Sequence, residues 1–113
     1  MDVKKAIEQR RSIRKYQNTK VPDSIIRELI DAARLAPSGN NAQPSRYLIV
    51  KDKNTKKKLK ENKIFEQEFV YSAPVIIVCC TDPNAYKKRI EEYDDQNEIR
   101  AIRDLSIASS FLV

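Results

Sequence analysis

With 113 residues the chain is large enough for one small domain with a core and too short for two. Charged residues make up 34% and hydrophobic ones 41%, a balance that excludes a disordered tail, and no run approaches the roughly 20 apolar residues of a membrane span. The net charge of +6 would suit nucleic acid or an anionic ligand, but residues 51–63, the lysine-rich cluster, interleave no aromatic residue and match no nucleic-acid-binding motif, so nucleic acid is set aside. The N-terminus lacks the positive-then-apolar order of a signal peptide, which makes the cytoplasm the expected compartment.

Asp2 is placed to cap a first helix in which Val3, Ala6 and Ile7 recur at helical spacing and which ends near Arg10. Residues 18–21 form a polar link. Pro22-Asp23-Ser24 then has a proline and an acid where a helix starts, and Ile25, Ile26, Leu29, Ile30, Ala33 and Leu35 give that second helix its apolar stripe. Pro37 stops it, since its ring forbids continuation and biases Ala36 away from helical angles. After a polar loop, residues 47–50 read as a short buried strand, and Asn54 is placed to cap a strongly basic third helix through residue 61. A further turn takes in Ile64, Phe65 and Phe69.

Residues 73–80 are a continuous apolar run of the kind found in a central strand covered on both faces. Cys79 and Cys80 end that run as neighbours pointing to opposite faces, which argues against a disulfide or a shared metal and for buried free thiols. Residues 81–84 form a turn, and 85–92 carry mixed charges without a clean stripe. Glu91, Glu92, Asp94 and Asp95 read as a solvated face. Ile99, Ile102, Leu105, Ile107, Ala108 and Leu112 mark a last helix that grows more apolar toward Val113, with no glycine cap or polar tail after it.

Two stretches carry the chemistry. Ala36-Pro37-Ser38-Gly39-Asn40-Asn41-Ala42-Gln43-Pro44 holds the chain's single glycine, and its hydroxyl and three carboxamides can read the edge of a planar heterocycle. The alternative is a turn whose Ser and Asn side chains bond their own backbone. Arg10-Arg11-Ser12-Ile13-Arg14-Lys15-Tyr16 lies upstream, and its first arginines either complement a helix dipole or receive an anion. There is no histidine, which removes His-based triads and most zinc sites, and one glycine excludes the Gly-rich dinucleotide loop and the P-loop. Redox chemistry here would need an organic cofactor.

In order and spacing the two stretches together resemble the FMN-dependent nitroreductase family. In that family an Arg-Arg-Ser-x-Arg-x-Tyr or Phe segment follows the first helix, and a Pro-Ser-x-x-Asn-x-Gln-Pro loop follows the second. The matching positions are Arg10, Arg11, Ser12, Arg14 and Tyr16, then Pro37, Ser38, Asn41, Gln43 and Pro44. The resemblance implies an α+β fold, a three-layer α-β-α sandwich of nitroreductase type. Residues 1–113 would be a single FMN-binding domain lacking its C-terminal part, either as a fragment or as a short form completed by pairing.

It further implies that FMN is bound by Arg10, Arg11, Ser12 and Arg14 of one subunit of a homodimer and by Pro37, Ser38, Gly39, Asn41 and Gln43 of the other. Arg10 and Ser12 would take the phosphate and Arg14 the ring. The implied reaction is NAD(P)H-driven, ping-pong reduction of nitroaromatics, quinones or similar small acceptors, with no metal. A non-catalytic flavin-binding protein, or a relative that destroys flavin or dehalogenates reductively, stands as the alternative. Ser45 occupies the place after Gln-Pro where many relatives carry an aromatic residue, which bears on the acceptor.

Overall fold

The computed structural model describes residues 2–87 and 96–113. The Asp2 carboxylate accepts the Lys4 N–H at 3.0 Å and opens helix α1 (Val3–Gln9), none of whose residues is buried. Residues 10–22 have no regular structure. Helix α2 (Asp23–Arg34) begins after Pro22, buries Ile26 and Ala33, and half-buries Leu29 and Ile30, while Ile25 and Leu35 stay exposed at the margins of the stripe. A 3-10 turn (Gly39–Asn41) leads to strand β1 (Ser45–Val50), then to helix α3 (Lys53–Glu61). Asp52, not Asn54, caps α3: its carboxylate accepts the Thr55 N–H at 2.7 Å and the Thr55 hydroxyl at 2.9 Å. A second 3-10 turn (Glu68–Ser72) holds Phe69, and a third (Pro83–Ala85) follows strand β2 (Ile76–Thr81). Helix α4 (Asn97–Ser110) is the longest described element.

The strands pair antiparallel, from Ser45 opposite Thr81 to Val50 opposite Ile76. This register puts Ser45, Tyr47, Ile49, Ile77, Cys79 and Thr81 on one face and the alternate residues on the other. The Thr81 hydroxyl donates to the Ala101 carbonyl at 3.3 Å, so the first face lies against α4, and α2 packs beside it. On the second face Val50, Ile76 and Ala73 form a core with Leu59 of α3 and with Phe65, Val70 and Val78. The result is the three-layer α-β-α arrangement expected, with α2 and α4 in one layer and α3 with its following turn in the other.

The strands themselves differ from the expectation. The apolar run at 73–80 does not form a strand covered throughout. Ala73 caps a turn and Pro74 has no N–H for a ladder, so pairing starts at Ile76, and β1 is its partner among the described residues. The run at 47–50 is likewise not a buried strand: β1 alternates, and Leu48 is 59% exposed. Cys80 stands opposite Arg46 on the open end of the same face and is an exposed free thiol, while Cys79 is half-buried and also free.

Helix α4 turns inward a face offset from the expected one: Ala108 of the expected stripe is buried and Leu105 and Leu112 are half-buried, but its isoleucines are not. Ile99 and Ile102 are 68% and 60% exposed, and the buried positions are Asn97, Ala101, Asp104 and Ala108. These four recur at helical spacing with small or hydrogen-bonded side chains, which lets α4 approach α2 and the strands closely. The exposed isoleucines belong to a surface of 9013 Å², against about 6400 Å² typical of a folded monomer of this mass. Among the described residues no helix is long and apolar enough to cross a membrane, and no cluster of His, Cys, Asp and Glu could hold a metal ion. Glu91, Glu92, Asp94 and Asp95, read above as a solvated face, lie outside the described residues.

Candidate functional site

The polar loop between α2 and β1 is built from strained backbone. Asn40, Asn41 and Gln43 all have φ near +50°, a region in which Asn is enriched but Gln is unusual. Such strain persists only where the surroundings over-determine it, and here they do. The Ser38 hydroxyl accepts the Gln43 N–H at 2.9 Å, and the Gln43 side chain donates to Asn41 Oδ1 at 2.8 Å. Arg46 donates to the Gln43 carbonyl at 2.8 Å, and the Asp82 N–H to the carbonyl of the fully buried Pro44 at 2.9 Å.

The firmest tie comes from α4. The Asp104 carboxylate, only 3% exposed, accepts the Gly39 N–H at 2.8 Å and the hydroxyl of the fully buried Tyr86 at 2.5 Å through the same oxygen, Oδ2. Its other oxygen accepts from Arg103 Nε at 3.1 Å. Burial pushes this carboxyl up, but the hydrogen bonds from Tyr86, Gly39 and Arg103 outweigh it and hold Asp104 below the usual carboxylate range. Gly39 is there for close approach: a Cβ would stand 3.1 Å from the Arg103 guanidinium and 3.7 Å from both Asp104 and Tyr86.

Beside this loop lies an open cavity of about 330 Å³, walled by Ala33 of α2, Pro37, Ser38 and Gln43 of the loop, Tyr47 of β1 and Asp104 of α4. Among the described residues the buried Tyr47 hydroxyl has no hydrogen bond of good geometry, and burial pushes its phenol up. Asn41 is exposed and does not line the cavity. The loop's Ser38 hydroxyl and Gln43 and Asn41 amides thus bond within the loop itself, the self-bonded turn that its composition allowed.

Arg10, Arg11, Ser12 and Arg14 sit elsewhere. All four are exposed in the segment after α1, and none lines the cavity. Arg11 donates to the Glu8 carbonyl at 2.7 Å and to the Arg10 carbonyl at 2.8 Å, completing the end of α1. Arg10 lies 3.5 Å from the Ser12 hydroxyl, and neither Arg10 nor Arg14 has a carboxylate partner among the described residues. A guanidinium beside a hydroxyl, uncommitted to any acid, suits an incoming anion such as a phosphate.

The sequence profile of the Nitroreductase family matches residues 7–67, which contain both stretches. The chain belongs to this family. It is 44% identical over 82 residues to an NADH dehydrogenase of Thermus thermophilus, covering 73% of this chain and 40% of that one. It is 34% identical over 94 residues to an NAD(P)H-linked FMN reductase of Bacillus subtilis, covering 83% of this chain and 37% of that one. The chain thus spans about two fifths of the length of these relatives. Its fold superimposes on a nitroreductase-type protein of Exiguobacterium sibiricum, solved in complex with FMN, with a TM-score of 0.85 at 22% identity, over 99% of this chain and 68% of that one.

Asp104 and Tyr86 were not legible as site residues. The one available signal was the spacing of Asn97, Ala101, Asp104 and Ala108, a second, small-residue stripe beside the larger apolar one.

Proposed function

We propose that residues 1–113 are the N-terminal part of a single FMN-dependent oxidoreductase domain. Arg10, Arg11, Ser12 and Arg14 of one subunit and Pro37, Ser38, Gly39, Asn41 and Gln43 of a second would hold the flavin. The observation that carries this reading is the pairing of an uncommitted guanidinium with a hydroxyl, Arg10 beside Ser12, in a chain that separately presents a rigid amide loop. The donor set fits FMN at both ends. Arg10 and Ser12 match a phosphate, Arg14 supplies positive charge toward a ring edge, and Asn41 and Gln43 offer amides that both donate and accept.

When bound, FMN supplies the hydride chemistry that the side chains lack, so that NAD(P)H can be the donor and a nitroaromatic, quinone or similar small molecule the acceptor in alternating half-reactions. The residues of the chain then have positioning and electrostatic tasks. The clamp on Gly39 keeps the loop in one conformation, and Arg14 favours negative charge at its edge of the ring. The exposed apolar side chains of α1 and α4, Val3, Ile7, Ile99 and Ile102, are what a second copy would cover in bringing its loop to the first copy's arginines. The expected compartment is the cytoplasm.

Titration of the chain with FMN and with riboflavin, followed by quenching of flavin fluorescence, tests the reading. Arg10→Ala should weaken FMN roughly tenfold or more, the worth of a charged hydrogen bond, and leave riboflavin unchanged. Equal losses for both ligands would remove the phosphate role from Arg10, and a protein carrying the rest of the domain that ignores excess FMN would sink the reading. Flavin retention by the longer gene product without NAD(P)H oxidation would leave a binding role only.

A further inference from the structure

The reading above leaves open what makes the amide loop a ligand-reading surface and not an ordinary connector, and the answer lies 65 residues away in the sequence. We propose that Asp104 is a positioning residue for the flavin: by gripping the Gly39 N–H from the neighbouring helix, its carboxylate sets the conformation in which Ser38, Asn41 and Gln43 meet the ring. This rests on the reading of the loop as part of a flavin site.

Three observations support it. Asp104 is the one acidic side chain on the buried face of α4, and it carries three donors on two oxygens, so its charge is satisfied and tied to the loop at once. The bond enters at Gly39, the first residue of the turn, directly before the left-handed residues Asn40 and Asn41 whose strain needs an external hold. The approach at Gly39 is close: a Cβ there would stand 3.1 Å from the end of the Arg103 side chain, which would have to give by a few tenths of an ångström, and in ordinary contact with Asp104 and Tyr86. Tyr86 donates to the same carboxylate oxygen as Gly39 and Arg103 to the other, and both side chains stand close to the turn at Gly39, so the carboxylate is held from both of its oxygens.

The chain's single glycine makes the test direct. In protein labelled with ¹⁵N-glycine, Gly39 gives one amide signal. Asp104→Asn should move that signal and speed its hydrogen exchange about tenfold or more, with the helix content by circular dichroism retained. It should weaken FMN and riboflavin by the same factor, because the loop is assigned to the ring, whereas Arg10→Ala acts on FMN alone. Tyr86→Phe, which keeps the carboxylate and the ring but removes one donor, should keep the Gly39 signal protected and cost at most about threefold in flavin affinity. Unchanged Gly39 protection in Asp104→Asn overturns the clamp. Full protection loss with unchanged affinity for both flavins overturns the positioning role. If a protein carrying the rest of the domain binds neither flavin, the flavin reading fails and takes the positioning role with it, while the Gly39 amide still decides the clamp separately.

Discussion

The basic segment and the amide loop stand at opposite extremes of restraint. The loop is tied into four elements: it leaves α2, accepts a grip from α4 through Asp104, and is pinned by Arg46 of β1 and by the Asp82 N–H beyond β2. Hydrogen bonds described for residues 2–20, by contrast, all stay within that segment, and the ring pair Tyr16–Phe69, with centroids 6.1 Å apart, joins it to the body. A group that must read the edge of a ring needs its geometry fixed beforehand, whereas a phosphate is caught well by charge on a longer tether. The difference is sharp enough to be broken experimentally from either side.

The largest effect is expected on the clamped side. Asp104→Ala removes the acceptor shared by the part-buried Gly39 N–H and the buried Tyr86 hydroxyl, and loss of a charged acceptor of this kind costs about 1–3 kcal/mol. Thermal unfolding should show that loss, and a change below about 0.5 kcal/mol would mean that water or another group replaces the carboxylate without penalty. Acid should act on the same bond. A carboxyl held below its ordinary value of 3.8 contributes stability that is fully present above that value and is lost as pH falls through the lower, folded one. Below about pH 4 the chain should therefore lose stability, and in Asp104→Asn that loss should be smaller. Asp23, paired with Lys51, and Asp52, bonded to Thr55, are lowered as well but are exposed, so the difference between the two proteins isolates Asp104. An identical acid profile in both would take Asp104 out of the response. Tyr86→Phe comes next, at about 1 kcal/mol for one buried hydrogen bond whose acceptor keeps its other donors.

The same contrast explains what the sequence could and could not reveal. Helix limits were legible where caps and prolines are local: Asp2, Pro22 and the stop before Pro37 all act through neighbours in the chain. The two motifs were legible because each is contiguous. The clamp was not, since nothing near Asp104 marks it as the partner of a glycine 65 residues earlier, and large apolar side chains on α4 drew the expected inward face away from the observed one. Apolar runs also overstated burial in the strands. An apolar residue such as Leu48 or Ile99 declares that it can be covered, but which layer covers it is a tertiary matter, and within this chain neither is.

The smallest global effect is expected from loosening the unrestrained side. Tyr16→Ala removes the ring contact with Phe69, worth about 0.5–1.5 kcal/mol beyond area burial, but this holds only the segment and not the core. Thermal unfolding of the body should shift by less than about 0.5 kcal/mol. Local opening should rise instead, and trypsin reports it directly, because Arg10, Arg11, Arg14, Lys15 and Lys20 all lie in the segment while residues 36–44 contain no Lys or Arg. Cleavage within residues 10–20 should therefore quicken several-fold, with the ¹⁵N-Gly39 signal unmoved. If Tyr16→Ala instead disturbs Gly39 or lowers the melting temperature as much as Tyr86→Phe does, the two regions are coupled through the body, and the division into a fixed reader and a loosely held anion catcher is wrong.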